Sequence, residues 1–172
     1  TPGIEANTGS LGQGLSIGLG MALGAKLDHK SYKVYVILGD GELAEGQIWE
    51  AANTASFYKV DNLIAIVDYN KLQAVGFLKK RYDLGDIRGK FNIFGWKTFE
   101  IDGHNIEEIV NTLDEIDSIK GLPSAIIAHT IKGKGISFAE NNPIFHNAPL
   151  SREQIEKAKK EIQGETILEV KN

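Results

Sequence analysis

The reading starts from "YKVYVILGDGELAEGQIWEAAN", residues 32–53. Tyr32–Leu38 is short, apolar and rich in β-branched and aromatic residues, which predicts a strand. The run stops at Gly39-Asp40-Gly41. From Leu43 to Tyr58, residues Ile48, Ala51, Ala52 and Ala55 fall on one face at helical spacing. A buried strand, a tight turn and a helix are the first half of a β-α-β unit.

On either side of this unit the pattern continues. Asn62–Asp68 (NLIAIVD) repeats the strand character, and Lys97–Ile101 and Ser124–His129 follow at longer intervals. Continuous apolar runs of this length predict strands covered on both faces, as in a parallel sheet. Gly12–Ala25 reads as a helix of small and apolar residues packed closely on that sheet. Asn105–Ile119 carries Ile106, Ile109, Val110, Leu113 and Ile116 at helical spacing, with Asn105 as N-cap and Glu108 as the return half of a capping box. Ser151 and Gln154 repeat that signature before Ile155, Ala158 and Ile162. Residues 69–95 lack periodicity and read as an irregular excursion. The fold class is therefore α/β, a mainly parallel sheet flanked by helices, in one domain over residues 1–172. Residues 164–172 are expected to form a flexible tail.

Of 172 residues, 42% are hydrophobic and 24% charged, and the net charge is −4. With no basic stripe, nucleic acid is not an expected partner. Cysteine is absent, so disulfides and thiolate metal sites are excluded, which fits a reducing, cytoplasmic setting. No apolar run reaches the roughly 20 residues that span a bilayer. Residues 11–27 are apolar but glycine-rich and lack a basic lead-in, unlike a signal peptide. The chain opens at Thr1 directly into "TPGIEANTGSLGQG", the kind of loop found inside a domain. The expectation is that an upstream part of the domain is missing.

Ligands of parallel α/β sheets collect beyond the carboxyl ends of strands, where Asp40 would sit. The helix starting near Leu43 would aim its N-terminus there, favouring phosphate. A carboxylate beside phosphate is repulsive unless a cation lies between, and Mg²⁺ commonly joins protein oxygens to phosphate oxygens. Asn70 follows Asp40 by thirty residues, at the end of the next predicted strand. If the two strands are neighbours, Asp40 and Asn70 meet, and the carbonyl of Leu72 could supply a third oxygen. By itself, Gly39-Asp40-Gly41 reads equally well as a strand-ending turn.

The spacing of GDG and asparagine is also the signature of thiamine diphosphate enzymes. "TGSLGQGLSIGLGMALGAK" (residues 8–26), "GDGELAEGQIWEAAN" (39–53), "DYNKLQ" (68–73), "GWKTFEIDGH" (95–104) and "HTIKGKG" (129–135) together resemble transketolase, in particular the N-terminal subunit of transketolases divided between two chains. The likeness runs from about Pro2 to Ile162. It implies thiamine diphosphate and Mg²⁺ as cofactors, with Asp40, Asn70 and the Leu72 carbonyl as metal ligands. It implies transfer of a two-carbon ketol unit from a ketose phosphate to an aldose phosphate, in the setting of pentose phosphate metabolism. The activating glutamate belongs to a second, pyrimidine-binding domain in this family. A C-terminal partner subunit, in an α₂β₂ assembly, is therefore expected, and the chain alone is expected to be inactive. Related readings are a deoxyxylulose-phosphate synthase, a 2-oxoacid dehydrogenase E1, or an inactive subunit kept for binding or assembly.

Further residues gain roles by the same resemblance. Gly9 and Leu11 would line the cofactor cavity, Gly39 and Gly41 would let the backbone approach it, and Ile131 would pack on the thiazolium. Glu45 either favours the helix dipole or joins a network of acids linking two active sites. His146, in "FHNAPL", would assist substrate or proton handling, although Asn147 stands where the family carries glycine. Gly12, Gly14 and Gly18 do not form a dinucleotide fingerprint, because no strand precedes them. Lys132 and Lys134 are either solvated or phosphate contacts. His29, His104 and His129 are assigned no catalytic role.

Overall fold

The computed structural model describes residues 2–74 and 76–169, with side chains described up to residue 163. In chain order the elements are α1 (Gln13–Leu27), β1 (Val34–Gly39), α2 (Gly46–Phe57), β2 (Leu63–Tyr69), β3 (Leu72–Gln73), β4 (Gly76–Phe77), α3 (Leu78–Arg81), α4 (Ile87–Ile93), β5 (Lys97–Asp102), α5 (Ile106–Asp117), β6 (Ser124–His129) and α6 (Arg152–Glu169). One-turn 3₁₀ helices cover Gly41–Ala44 and Pro143–His146. The sheet has the order β1-β2-β6-β5 and every pairing is parallel. Register places Gly39 opposite Asp68, Tyr69 opposite His129, and Asp102 opposite His129. The four carboxyl ends therefore open on one edge of the sheet.

On one face, Leu15 and Leu19 of α1, Ile48 and Ala52 of α2 and Phe91 of α4 bury Val36, Leu38, Leu63, Ala65 and Val67. Each fully buried leucine, isoleucine or phenylalanine contributes about 1.5–3 kcal/mol. On the other face, Ile116 of α5, with Leu113 and Ile109 beside it, covers Ile64, Ile101 and Ile126. The central strand β2 is thus covered on both sides, as its continuous apolar run requires. The edge strand β1 differs from expectation. Val36 and Leu38 are buried, but Tyr35 is 51% and Ile37 75% exposed. The strand has period two, and α5 covers the β2, β5 and β6 side of the opposite face without reaching these two residues.

Residues 69–95 are not irregular throughout, although residues 82–86 carry no regular element. The longer stretch holds the β3–β4 hairpin, α3 and α4. Asp86 caps α4 by accepting from the Gly89 N–H at 2.8 Å. Trp49 of α2 stacks on Phe94, with ring centroids 5.5 Å apart, and Phe91 meets Trp96 edge-on. The Trp96 indole donates to the Ala52 carbonyl at 2.9 Å. The helix is only seven residues long, too short for periodicity to emerge. In α5, Ile106 and Val110 also depart from the expected apolar stripe and are exposed.

The caps hold. Asn105 Oδ1 accepts from the Glu108 N–H, while the Glu108 carboxylate returns to the Asn105 amide and to the Asp102 N–H. Ser151 and Gln154 bond reciprocally. In the expected tail, α6 continues to Glu169. The side chains from 164 onward and residues 170–172 lie outside the described residues.

The small residues of α1 do set its distance from the sheet. A Cβ on Gly18 would lie 2.4 Å from Val36 Cγ2, with Val34 and Leu63 close behind. Valine is stiff at χ1 and cannot swing aside. Gly18→Ala is expected to lower stability by about 1–3 kcal/mol, and by clearly less in a Val36→Ala background. Urea melts giving additive losses would refute the contact.

Candidate functional site

Parallel pairing of β1 with β2 places Asp40 beside the turn that follows Tyr69. The Asp40 N–H donates to the Asp68 carbonyl at 3.3 Å, and Asp40 Oδ2 accepts from the Lys71 N–H. Lys71 reaches that position with φ of +65°. Asp40 is 1% exposed and Asn70 8%. Asn70 Oδ1 accepts from the Leu72 N–H at 2.9 Å, and Asn70 Nδ2 donates to Asp68 Oδ2 at 3.0 Å. Thr130, just after β6, donates its hydroxyl to Asp68 Oδ1. Asp40, Asn70 and Leu72 thus meet around one turn.

The helix expected from Leu43 starts later. Asp40 leads into the 3₁₀ turn Gly41–Ala44, and α2 begins at Gly46 with the exposed Glu45 as N-cap residue. The acid that joins the motifs is Glu42. Its Oε1 accepts from the Gly12 N–H at 2.8 Å and its Oε2 from the Gly39 N–H at 3.1 Å. Glu42 clips the 8–12 loop, which carries Gly9 and the exposed Leu11, to the end of β1. Glu45 presses on the same loop. Gly12 has φ of +84°, and a Cβ there would come within 2.8 Å of Glu45 Cβ, so only glycine fits. The sequence signal for Glu42 was its place two residues past Asp40, but it could not name an acceptor's partner thirty residues away.

Ile131 is half-buried, and its N–H donates to His104 Nε2 at 2.8 Å. His104 thereby holds the loop after β6 through a nitrogen that carries no proton. His129 pairs with Glu100 at 2.6 Å, and His29 is exposed just past the end of α1. His146 is exposed on the turn Pro143–His146, which packs against the β3–β4 hairpin but lies outside the network around Asp40. Lys134 is exposed, and the charge of Lys132 is felt at Asp40.

Burial pushes the Asp40 carboxyl up to about 6, and the neighbouring Asp68 carboxylate adds to the rise. The N–H groups of Lys71 and Gly41 and the Lys132 charge oppose it. A desolvated carboxylate beside a second acid is a place where a cation would be stabilising. The donor set fits a hard one: a carboxylate and an amide oxygen that keeps a second lone pair. Among the described residues no three histidine, cysteine or acidic side chains cluster as a complete ligand set. A metal here would draw its remaining oxygens from the backbone and from a ligand. Room for one exists beside β1, since a Cβ on Gly39 would meet nothing closer than Glu42 Cβ at 3.9 Å. Gly41 is tighter, with Gln73 Cβ 3.0 Å from the same hypothetical atom. No helix among the described residues is long and apolar enough to cross a membrane.

Residues 1–167 match the family described as transketolase, thiamine diphosphate binding domain. Over 161 residues the chain is 45% identical to one of the subunits of the apulose-4-phosphate transketolase of Phocaeicola vulgatus, covering 94% of this chain and 57% of that protein. It is 46% identical over 165 residues to the 6-deoxy-6-sulfo-D-fructose transketolase subunit SqwG of a Clostridium species, covering 96% and 60%. The chain therefore spans a little over half the length of these relatives. Its fold superposes on the crystal structure of Campylobacter jejuni transketolase with a TM-score of 0.85 at 34% identity, over 92% of this chain and 26% of the other.

The Asp40 shift has a definite sign. Its pKa is raised on folding, so its stabilising contribution is complete below about pH 4 and is lost as pH rises through about 6. Without metal, wild type is expected to lose up to about 3 kcal/mol relative to Asp40→Asn between pH 4 and pH 7.5. A stability difference that stays flat in urea titrations across this range would refute it.

Proposed function

The chain belongs to the transketolase family, as its thiamine diphosphate-binding domain, and from that premise we propose that it anchors thiamine diphosphate through Mg²⁺ and serves ketol transfer between a ketose phosphate and an aldose phosphate. One observation supports the reading above others: Asp40 Oδ2 and Asn70 Oδ1 accept from the successive N–H groups of Lys71 and Leu72, at the carboxyl ends of neighbouring parallel strands. In this proposal Asp40, Asn70 and the Leu72 carbonyl hold the metal. The cofactor supplies the carbanion chemistry that breaks and remakes the substrate C–C bond.

The chain's own residues bind and orient. Gly39 and Gly41 leave the backbone free for the diphosphate. Gly9 and Leu11 border the cofactor on the loop that Glu42 clips in place. Ile131 offers an apolar surface to the thiazolium, and Glu45 faces the acids of a neighbouring chain. His146, on the exposed turn that packs against the β3–β4 hairpin, assists substrate or proton handling. Several relatives are named as single subunits of a transketolase. Those names favour a partner chain that contributes the pyrimidine-binding half, in an α₂β₂ assembly. Cytoplasmic sugar-phosphate metabolism, the pentose phosphate pathway included, is the setting we propose.

Calorimetric titration of thiamine diphosphate into the chain, with and without its partner subunit, tests this. Binding is expected only with Mg²⁺ and should vanish in Asp40→Ala. Ketol transfer should appear only when both subunits are present and should fall in His146→Ala. Binding that ignores Mg²⁺, or survives in Asp40→Ala, would overturn the proposed anchor.

A further inference from the structure

We infer that Asp68, held by Thr130, is a positioning residue that locks the Asn70 amide with its oxygen toward the cation; this role rests on the metal anchor proposed above. The two ends of an amide differ only in what they can accept or donate. Asn70 Nδ2 faces Asp68 Oδ2 at 3.0 Å, and Asn70 Oδ1 faces the Leu72 N–H at 2.9 Å. An ionised carboxylate only accepts and a backbone N–H only donates. Rotating the amide by half a turn would lose both bonds and set an oxygen against a carboxylate and an NH₂ against an N–H. The orientation is therefore dictated by Asp68 on one side and by the backbone on the other.

Asp68 is itself fixed. Its Oδ1 accepts from the Thr130 hydroxyl, and the Thr130 N–H donates to the Tyr69 carbonyl at 3.3 Å. The chain of bonds thus crosses from the end of β6 through β2 to the turn beside β1, where the Asp68 carbonyl also receives the Asp40 N–H. A cation binds the oxygen end of an amide and is repelled by the NH₂ end. Without Asp68, half-turn rotation of Asn70 loses one bond instead of two and presents the wrong end to the metal. Partners that orient a ligand in this way typically change metal affinity about 10–100-fold when removed.

Orientation and charge can be separated by substitution. Asp68→Ala removes the lock. Asp68→Asn keeps it, because an amide at 68 accepts from Asn70 and donates to a rotated Thr130 hydroxyl. The double variant Asp68→Ala/Asn70→Asp restores net charge and gives position 70 an oxygen at both ends, so orientation ceases to matter. Mn²⁺ binding to the full chain in the presence of thiamine diphosphate, read by electron paramagnetic resonance of the free ion, is the measurement, with thermal melts as the folding control. Asp68→Ala is expected to weaken Mn²⁺ about 10–100-fold. Asp68→Asn should stay close to wild type, and the double variant should recover most of the loss. Wild-type-like binding by Asp68→Ala, or a double variant no better than Asp68→Ala, would overturn the role while leaving the anchor intact. Asp68→Asn as weak as Asp68→Ala would overturn it in favour of charge. Failure of wild type to hold Mn²⁺ would remove both the anchor and this role.

Discussion

The parallel pairing of β1 with β2 in one register underlies everything at the site. Gly39 opposite Asp68 places the first residue past β1 against the turn past β2. From that register follow the Lys71 N–H on the Asp40 carboxylate and the neighbouring Leu72 N–H on the Asn70 amide oxygen. A slip of one residue would turn every side chain of β1 to the opposite face of the sheet. Val36 and Leu38 would then leave the core, while Tyr35 and Ile37 would enter it. Burial of two alternate residues on one strand thus fixes the position of the carboxylate that follows it.

The geometry carries an electrostatic cost. Asp40 is almost wholly buried, and a second acid, Asp68, stands close enough to raise its pKa. A protein interior does not tolerate adjacent carboxylates without a reason. Here the N–H groups of Lys71 and Gly41 offset part of the repulsion, and a bound cation would remove the rest. The same pair of acids divides the labour. Asp40 accepts from the Lys71 N–H, while Asp68 accepts from the Thr130 hydroxyl and the Asn70 amide.

Two loops meet this edge of the sheet beside the β2 turn, and single side chains tie them. Glu42 ties the 8–12 loop, while Thr130 and His104 tie the segment after β6. None of these bonds repeats with a secondary-structure period. They are single long-range links laid over a scaffold that is regular beneath them.

The meeting of Asp40 with Asn70 followed only on the condition that β1 and β2 are neighbours, whereas the alternation of strands and helices, the parallel class and the caps at Asn105 and Ser151 could be read from the amino-acid order. These are local or periodic properties: burial recurs every two or every 3.6 residues, and a cap spans three. The same order could not distinguish Glu42 from Glu45, because both lie close behind Asp40, and the path of the 8–12 loop selects the carboxylate that meets Gly12. Nor could it show Asp68 and Thr130 as partners, since sixty-two residues separate them. Their contact exists because β6 inserts beside β2, with β5 outside it. The docking of α4 through Phe91, Phe94 and Trp96, and the bare side of β1, were likewise settled by which elements became neighbours. Strand order is chosen by the packing of the whole chain, and it leaves no period in the sequence to read.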